Sequence, residues 1–238
     1  MIGKTLSSDM LKIRRKGLWL LAIIAPVGLL AMQALNFGLR YDYFVRQYGE
    51  ELWGALLENV SMFVPVSLLL GCTLVSSLVA NVEHHMSSWK QLLALPVSRH
   101  AVFAAKFLVC VILLAFSCVL LAAGTVCFGL VFGFDPAQVP VAALMKLSFL
   151  PFLASWPVLA LMLWLCLSFR NQALPITLGV VLSIGSLFSM SLSEWFPVNW
   201  PMAAYAGAQP ELFVGLGIAA GLVVLALGML HFDRKDVA

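Results

Sequence analysis

Apolar residues gather in six long blocks along this chain: 18–35, 60–82, 107–132, 142–169, 173–192 and 213–230. A helix of about 20 apolar residues matches the hydrocarbon core of a bilayer. Inside hydrocarbon every backbone N–H and C=O needs an internal partner, which a continuous helix supplies. The blocks are too long and too evenly apolar for barrel strands, whose residues alternate. The pattern predicts an all-α polytopic membrane protein with six transmembrane helices in one domain, residues 1–238.

The segments between the blocks have their own patterns. Near the N-terminus Leu6, Met10 and Ile13 recur on one helical face, beside Lys12, Arg14, Arg15 and Lys16. This reads as an interfacial helix leading into the first span, capped by Ser8 or Asp9. A solvated basic cluster is the alternative. The stretch 36–59 reads as an outer loop, with Tyr41, Tyr43, Phe44, Tyr48 and Trp53 suited to an aromatic belt. Residues 193–205 hold Trp195, Pro197, Trp200 and Pro201 and no Lys or Arg. That mix predicts a re-entrant hairpin in the outer leaflet before the last span. Pro151 and Pro157 predict a kink or break within the fourth block.

Composition agrees: 62% of residues are hydrophobic, 11% are charged, and the mean hydropathy is +1.00. A soluble domain of this size has no room to bury so much apolar surface. Lys4, Lys12, Arg14, Arg15, Lys16, Lys90, Arg99, Lys106, Arg170, Arg234 and Lys235 fall on one side of the expected membrane, against Arg40 and Arg46 on the other. The positive-inside rule then places both termini in the cytoplasm. The net charge of +3 reflects this topology and gives no support for nucleic-acid binding. No small-residue cleavage site follows the first block, so that span is expected to be retained. The five cysteines, Cys72, Cys110, Cys118, Cys127 and Cys166, all lie in apolar blocks without metal-ligand spacing.

Enzyme chemistry finds little footing. Gly3-Lys4-Thr5 has the end of a phosphate-binding loop but neither its upstream glycine nor a preceding strand. Glu83, His84, His85 and His100 lack the H-E-x-x-H spacing of a zinc hydrolase. Glu50-Glu51 is followed by Ala55 where paired-glutamate intramembrane proteases of the CAAX type carry Arg. Ion-coupled transport usually needs charges at mid-membrane. Lys146 is the basic residue placed within a span, and a long stem near its outer end can snorkel to the interface.

The polar segment 83–106 carries more information. Trp89, Leu92, Leu93 and Val97 recur at helical spacing, and Pro96 limits that helix. A short amphipathic helix here would bury Trp89, Leu92 and Leu93 and show Ser87, Lys90 and Gln91 to the cytosol. The run Glu83…Trp89-Lys90-Gln91-Leu92-Leu93-Ala94-Leu95-Pro96-Val97-Ser98-Arg99…Lys106 resembles the first cytoplasmic loop of type-2 ABC exporter permeases. The resemblance is to the small six-span permeases of lantibiotic and antimicrobial-peptide immunity. Asp9-Met10-Leu11-Lys12 with Arg14 and Arg15 is similar to that family's connecting helix. Trp195-Phe196-Pro197…Trp200-Pro201 is similar to its re-entrant region, and Phe232-Asp233-Arg234-Lys235-Asp236 to its tail. His84-His85-Met86 departs from the family pattern.

The resemblance implies a permease subunit in a prokaryotic plasma membrane, paired with a second permease of the same or a paralogous chain. No cofactor is expected in this chain; ATP and Mg are implied for a separate ABC ATPase. A coupling helix around Ser88 to Leu95 would contact that ATPase, through Ser87, Ser88, Trp89, Lys90, Gln91, Leu92, Leu93, Pro96 and Arg99, with Glu83 as a charged anchor. Substrate would follow the second and fifth spans, past Ser67, Gly71, Thr73 and Ser76 and past Thr177, Ser183 and Ser186. Small residues there equally permit close helix packing. A non-transporting membrane protein that binds an antimicrobial peptide is the competing functional reading.

Overall fold

Long apolar runs close their own backbone hydrogen bonds as helices. The computed structural model describes residues 2–13, 17–49, 51–85, 98–191 and 193–234. Its helices are α1 Ile2–Ile13, α2 Leu18–Tyr48, α3 Leu52–Ser61, α4 Val64–His85, α5 Arg99–Val131, α6 Val141–Ala154, α7 Trp156–Ser168, α8 Ala173–Gly185, α9 Trp200–Ala206 and α10 Pro210–Arg234. Short 3-10 turns occupy Pro136–Gln138 and Ser186–Ser191. Among the described residues there is no strand.

Four helices are long and apolar enough to cross a membrane: Leu18–Tyr48, Val64–Val82, His100–Val131 and Pro210–Asp233. α6 and α7 make a fifth crossing if their bent pair is one span; the angle between them is 46°. The bend falls at Ser155, between Pro151 and Pro157. Pro157 sits in the first turn of α7, where a missing N–H leaves no hydrogen bond unmade. The block expected as a fifth span is shorter than expected. Its α-helix ends at Gly185 and tightens into the 3-10 turn, leaving an apolar helix of Ala173–Phe188. Six apolar blocks thus yield four or five crossing candidates among the described residues.

The stretch 36–59 is not a loop. α2 continues to Tyr48, with a break in helical geometry at Arg40, and α3 follows after a short turn. Phe37 and Phe44 stack at 4.1 Å, and Phe37 also meets Phe128 and Phe134. Trp53 is buried edge-on to Phe134 and donates from Nε1 to the Asp135 carbonyl at 3.0 Å. Phe44 and Trp53 therefore belong to the packed interior, while Tyr41 and Tyr43 stay exposed. Ser8 and Asp9 do not cap α1 either, because the helix already runs from Ile2.

α10 packs chiefly on α7, α4 lies against α7 and α8, and α2 lies along α5. Gly217 and Gly221 let α10 press onto the α6–α7 break: a Cβ at Gly217 would meet the Ala154 backbone, and one at Gly221 the Trp156 Cβ at 2.7 Å. Small residues four apart commonly permit such approach between apolar helices. Before α9 the chain makes consecutive turns, with Asn199 Nδ2 donating to the Ser193 carbonyl at 3.0 Å. Trp195 and Phe196 are exposed there, whereas Val198, Asn199 and Trp200 are buried. α9 then packs on α6 and α10.

Candidate functional site

α4 closes with Glu83, His84 and His85 in its last turn, and α5 opens at Arg99. Between them Ser87, Ser88, Trp89, Lys90, Gln91, Leu92, Leu93 and Pro96 lie outside the described residues. The described chain resumes at Ser98, whose backbone is extended and whose Oγ accepts the Ala101 N–H at 3.3 Å. Ser98 is thus the N-cap of α5 and satisfies one of the donors that a helix start leaves open. A serine just before a long apolar helix is a readable signal, although the motif alone assigns Ser98 no role.

One helical face further in, Lys106 is 2% exposed and sits 3.7 Å from the Asp9 carboxylate, itself 6% exposed. Asp9 lies among Leu6 and Met10 on the apolar side of α1, and that side packs against the bundle. α1 is therefore fastened to α5 by apolar contact and by a buried ion pair. The pattern hinted at this: Asp9 is an acid within the Leu6, Met10, Ile13 stripe. Its partner is 97 positions away, beyond any local reading.

The C-terminal helix joins at the same end. Asp233 lies 3.7 Å from His100 Nε2, and Phe232 packs on Phe103 at 6.0 Å between ring centres. Trp164 of α7 donates from Nε1 to His231 Nδ1 at 3.1 Å. Four helices, α1, α5, α7 and α10, are thus tied together beside the point where segment 86–97 enters α5.

A family model for ABC-2 family transporter proteins matches residues 5–186, from α1 into the 3-10 turn after α8. The chain belongs to the ABC-2 transporter family. No curated protein and no solved structure matches it. Membership makes it a multi-pass permease subunit of an ABC transporter, and such permeases work with an ABC ATPase. Membrane subunits of this family are generally not enzymes.

The small and polar residues of this ABC-2 permease divide between two surroundings. Ser67 and Gly71 line a cavity of about 390 Å³ between α2 and α4. Thr73 turns instead to α8, where a Cβ on Gly179 would run into its side chain. Ser77 reaches Gln172 at 3.3 Å on the same flank. Ser76, Ser183 and Ser186 are buried, with Ser183 donating to the Gly179 carbonyl and Ser186 to the Ser183 carbonyl. Thr177 is exposed and donates to the Ala173 carbonyl. The structure brings Thr73 and Gly179 together as a tight helix contact, and keeps Ser67 and Gly71 on a different wall of α4. Lys146 is exposed in the second turn of α6.

Proposed function

We propose that this permease is the membrane half of an ATP-driven exporter that moves a hydrophobic or peptide substrate outward. Immunity to antimicrobial peptides is the use that its sequence resemblance favours. It sits in a prokaryotic plasma membrane with both termini cytoplasmic and works beside a second permease, identical or paralogous. ATP and Mg belong to the partner ATPase. A helix around Ser88 to Leu95 acts as the coupling helix, Glu83 and Arg99 flank it, and the ATPase meets Ser87, Trp89, Lys90 and Gln91.

The observation that carries this reading is the braced base of α5. Motion received at segment 86–97 enters a helix tied to α1 through Asp9–Lys106 and to α10 through His100–Asp233. Ser67, Gly71, Thr73, Ser76, Thr177, Ser183 and Ser186 are the proposed substrate-facing positions, on two different walls of α4 and on α8.

Replacing Lys90 and Gln91 with Glu, and separately Trp89 with Ala, tests the coupling role. Charge mismatch at an interface costs several kcal/mol, and loss of a buried Trp anchor typically about 2 kcal/mol or more. Both variants are expected to insert normally yet lose ATPase co-purification and export-dependent resistance. Full partner binding and full transport in both would remove the coupling assignment.

A further inference from the structure

The cavity between α2 and α4 has α5 and α6 as its floor, and its 390 Å³ falls within the roughly 300–1,000 Å³ of small-ligand sites. Its walls are mostly apolar, and among the described residues no Asp, Glu, Lys, Arg or His lines it. One lining group is unusual. Ser148 of α6 is 1% exposed, and its Oγ has no hydrogen-bond partner. The neighbouring hydroxyls are satisfied: Ser67 donates to the Val64 carbonyl at 2.9 Å and Ser117 to the Ala22 carbonyl at 2.6 Å. Buried polar groups are nearly always paired, so an unpaired hydroxyl facing a cavity points to a polar atom that belongs there.

Ile24, Met32 and Phe63, all on the cavity wall, are themselves exposed, so the mouth opens on the apolar flank of the bundle. An occupant entering there comes from the bilayer. An ionised head would be buried without a counter-charge, which is strongly disfavoured.

We infer that this cavity binds a neutral single-chain amphiphile drawn from the bilayer. Its chain lies between α2 and α4, and an uncharged polar group of its head, a hydroxyl or an ester carbonyl, pairs with Ser148 Oγ. Binding needs neither nucleotide nor ATPase, so it stands or falls apart from the export reading.

The test uses the full chain, purified into nanodiscs, and a monoacylglycerol carrying a photoreactive diazirine in its acyl chain. Saturable labelling is expected on peptides of α2 and α4. Unlabelled monoacylglycerol should compete, and the fatty acid of equal length, at a pH where it is ionised, should not. Gly28 lines the cavity, and a Cβ there would meet nothing within 4 Å. Gly28→Phe should therefore fill the space, keep the fold and abolish labelling. Ser148→Ala should weaken labelling roughly five-fold, the worth of one hydrogen bond. Equal competition by the ionised acid, or label spread over all helices, would overturn the assignment. So would undiminished labelling in folded Gly28→Phe. Should Gly28→Phe not fold, unchanged labelling in Ser148→Ala would decide against the site.

Discussion

Removing one charge of the Asp9–Lys106 pair should harm this protein more than removing both. The two groups lie 3.7 Å apart, with side chains 6% and 2% exposed. Stranding one member of such a buried pair typically costs about 3–5 kcal/mol, whereas replacing both with apolar groups of similar size is often neutral or favourable. For a chain of this length each kcal/mol moves the midpoint by about 2–4 °C, so Lys106→Met or Asp9→Leu alone should lower it by about 6–20 °C. The double variant should recover most of that loss. The assay is thermal unfolding in detergent, followed by tryptophan fluorescence and checked by retention of the monodisperse peak. Single losses that simply add in the double variant would refute the reasoning, because the two charges would then not depend on each other. Single variants as stable as the parent would refute it too, since neither charge would then be buried at any cost. If the pair behaves as expected, α1 is a fixed part of the α5 base rather than a helix resting on the lipid surface.

Trp53→Ala should cost about 3–5 kcal/mol, the range for a large buried aromatic, and Trp53→Phe clearly less, measured by the same unfolding assay. Gly179→Val should lose about 1–3 kcal/mol through overpacking against Thr73, whereas Gly215→Val, where a Cβ meets nothing within 4 Å, should be tolerated. In a background without the native cysteines, Gln138→Cys should react with an impermeant thiol reagent in whole cells and Arg170→Cys should not. The reverse labelling would overturn the proposed orientation.

How much of the fold can be read from sequence depends on the range of the interactions involved. The apolar blocks became helices because each satisfies its backbone locally, and the two prolines marked the α6–α7 bend for the same reason. The extension of α2 to Tyr48 was less visible. Phe37, Tyr41, Phe44 and Tyr48 do follow helical spacing, but polar neighbours masked it, and the segment reads as an interfacial loop. Packing of Phe37 against Phe44, Phe128 and Phe134 decides the matter, and Phe128 and Phe134 lie far along the chain.

The functional parts divide in the same way. The sequence by itself determined a helical membrane protein and, through segment 83–106, a resemblance to ABC exporter permeases that the ABC-2 family match supports at family level. These follow from hydropathy, length and a contiguous motif, none of which needs a third dimension. Only the tertiary structure decided that Asp9 meets Lys106, that Ser67 and Gly71 face a cavity while Thr73 meets Gly179, and that Ser148 looks into that cavity without a partner. Each of these depends on which helix lies beside which, and that is set by the sum of many weak side-chain contacts across the whole bundle rather than by any local stretch of residues.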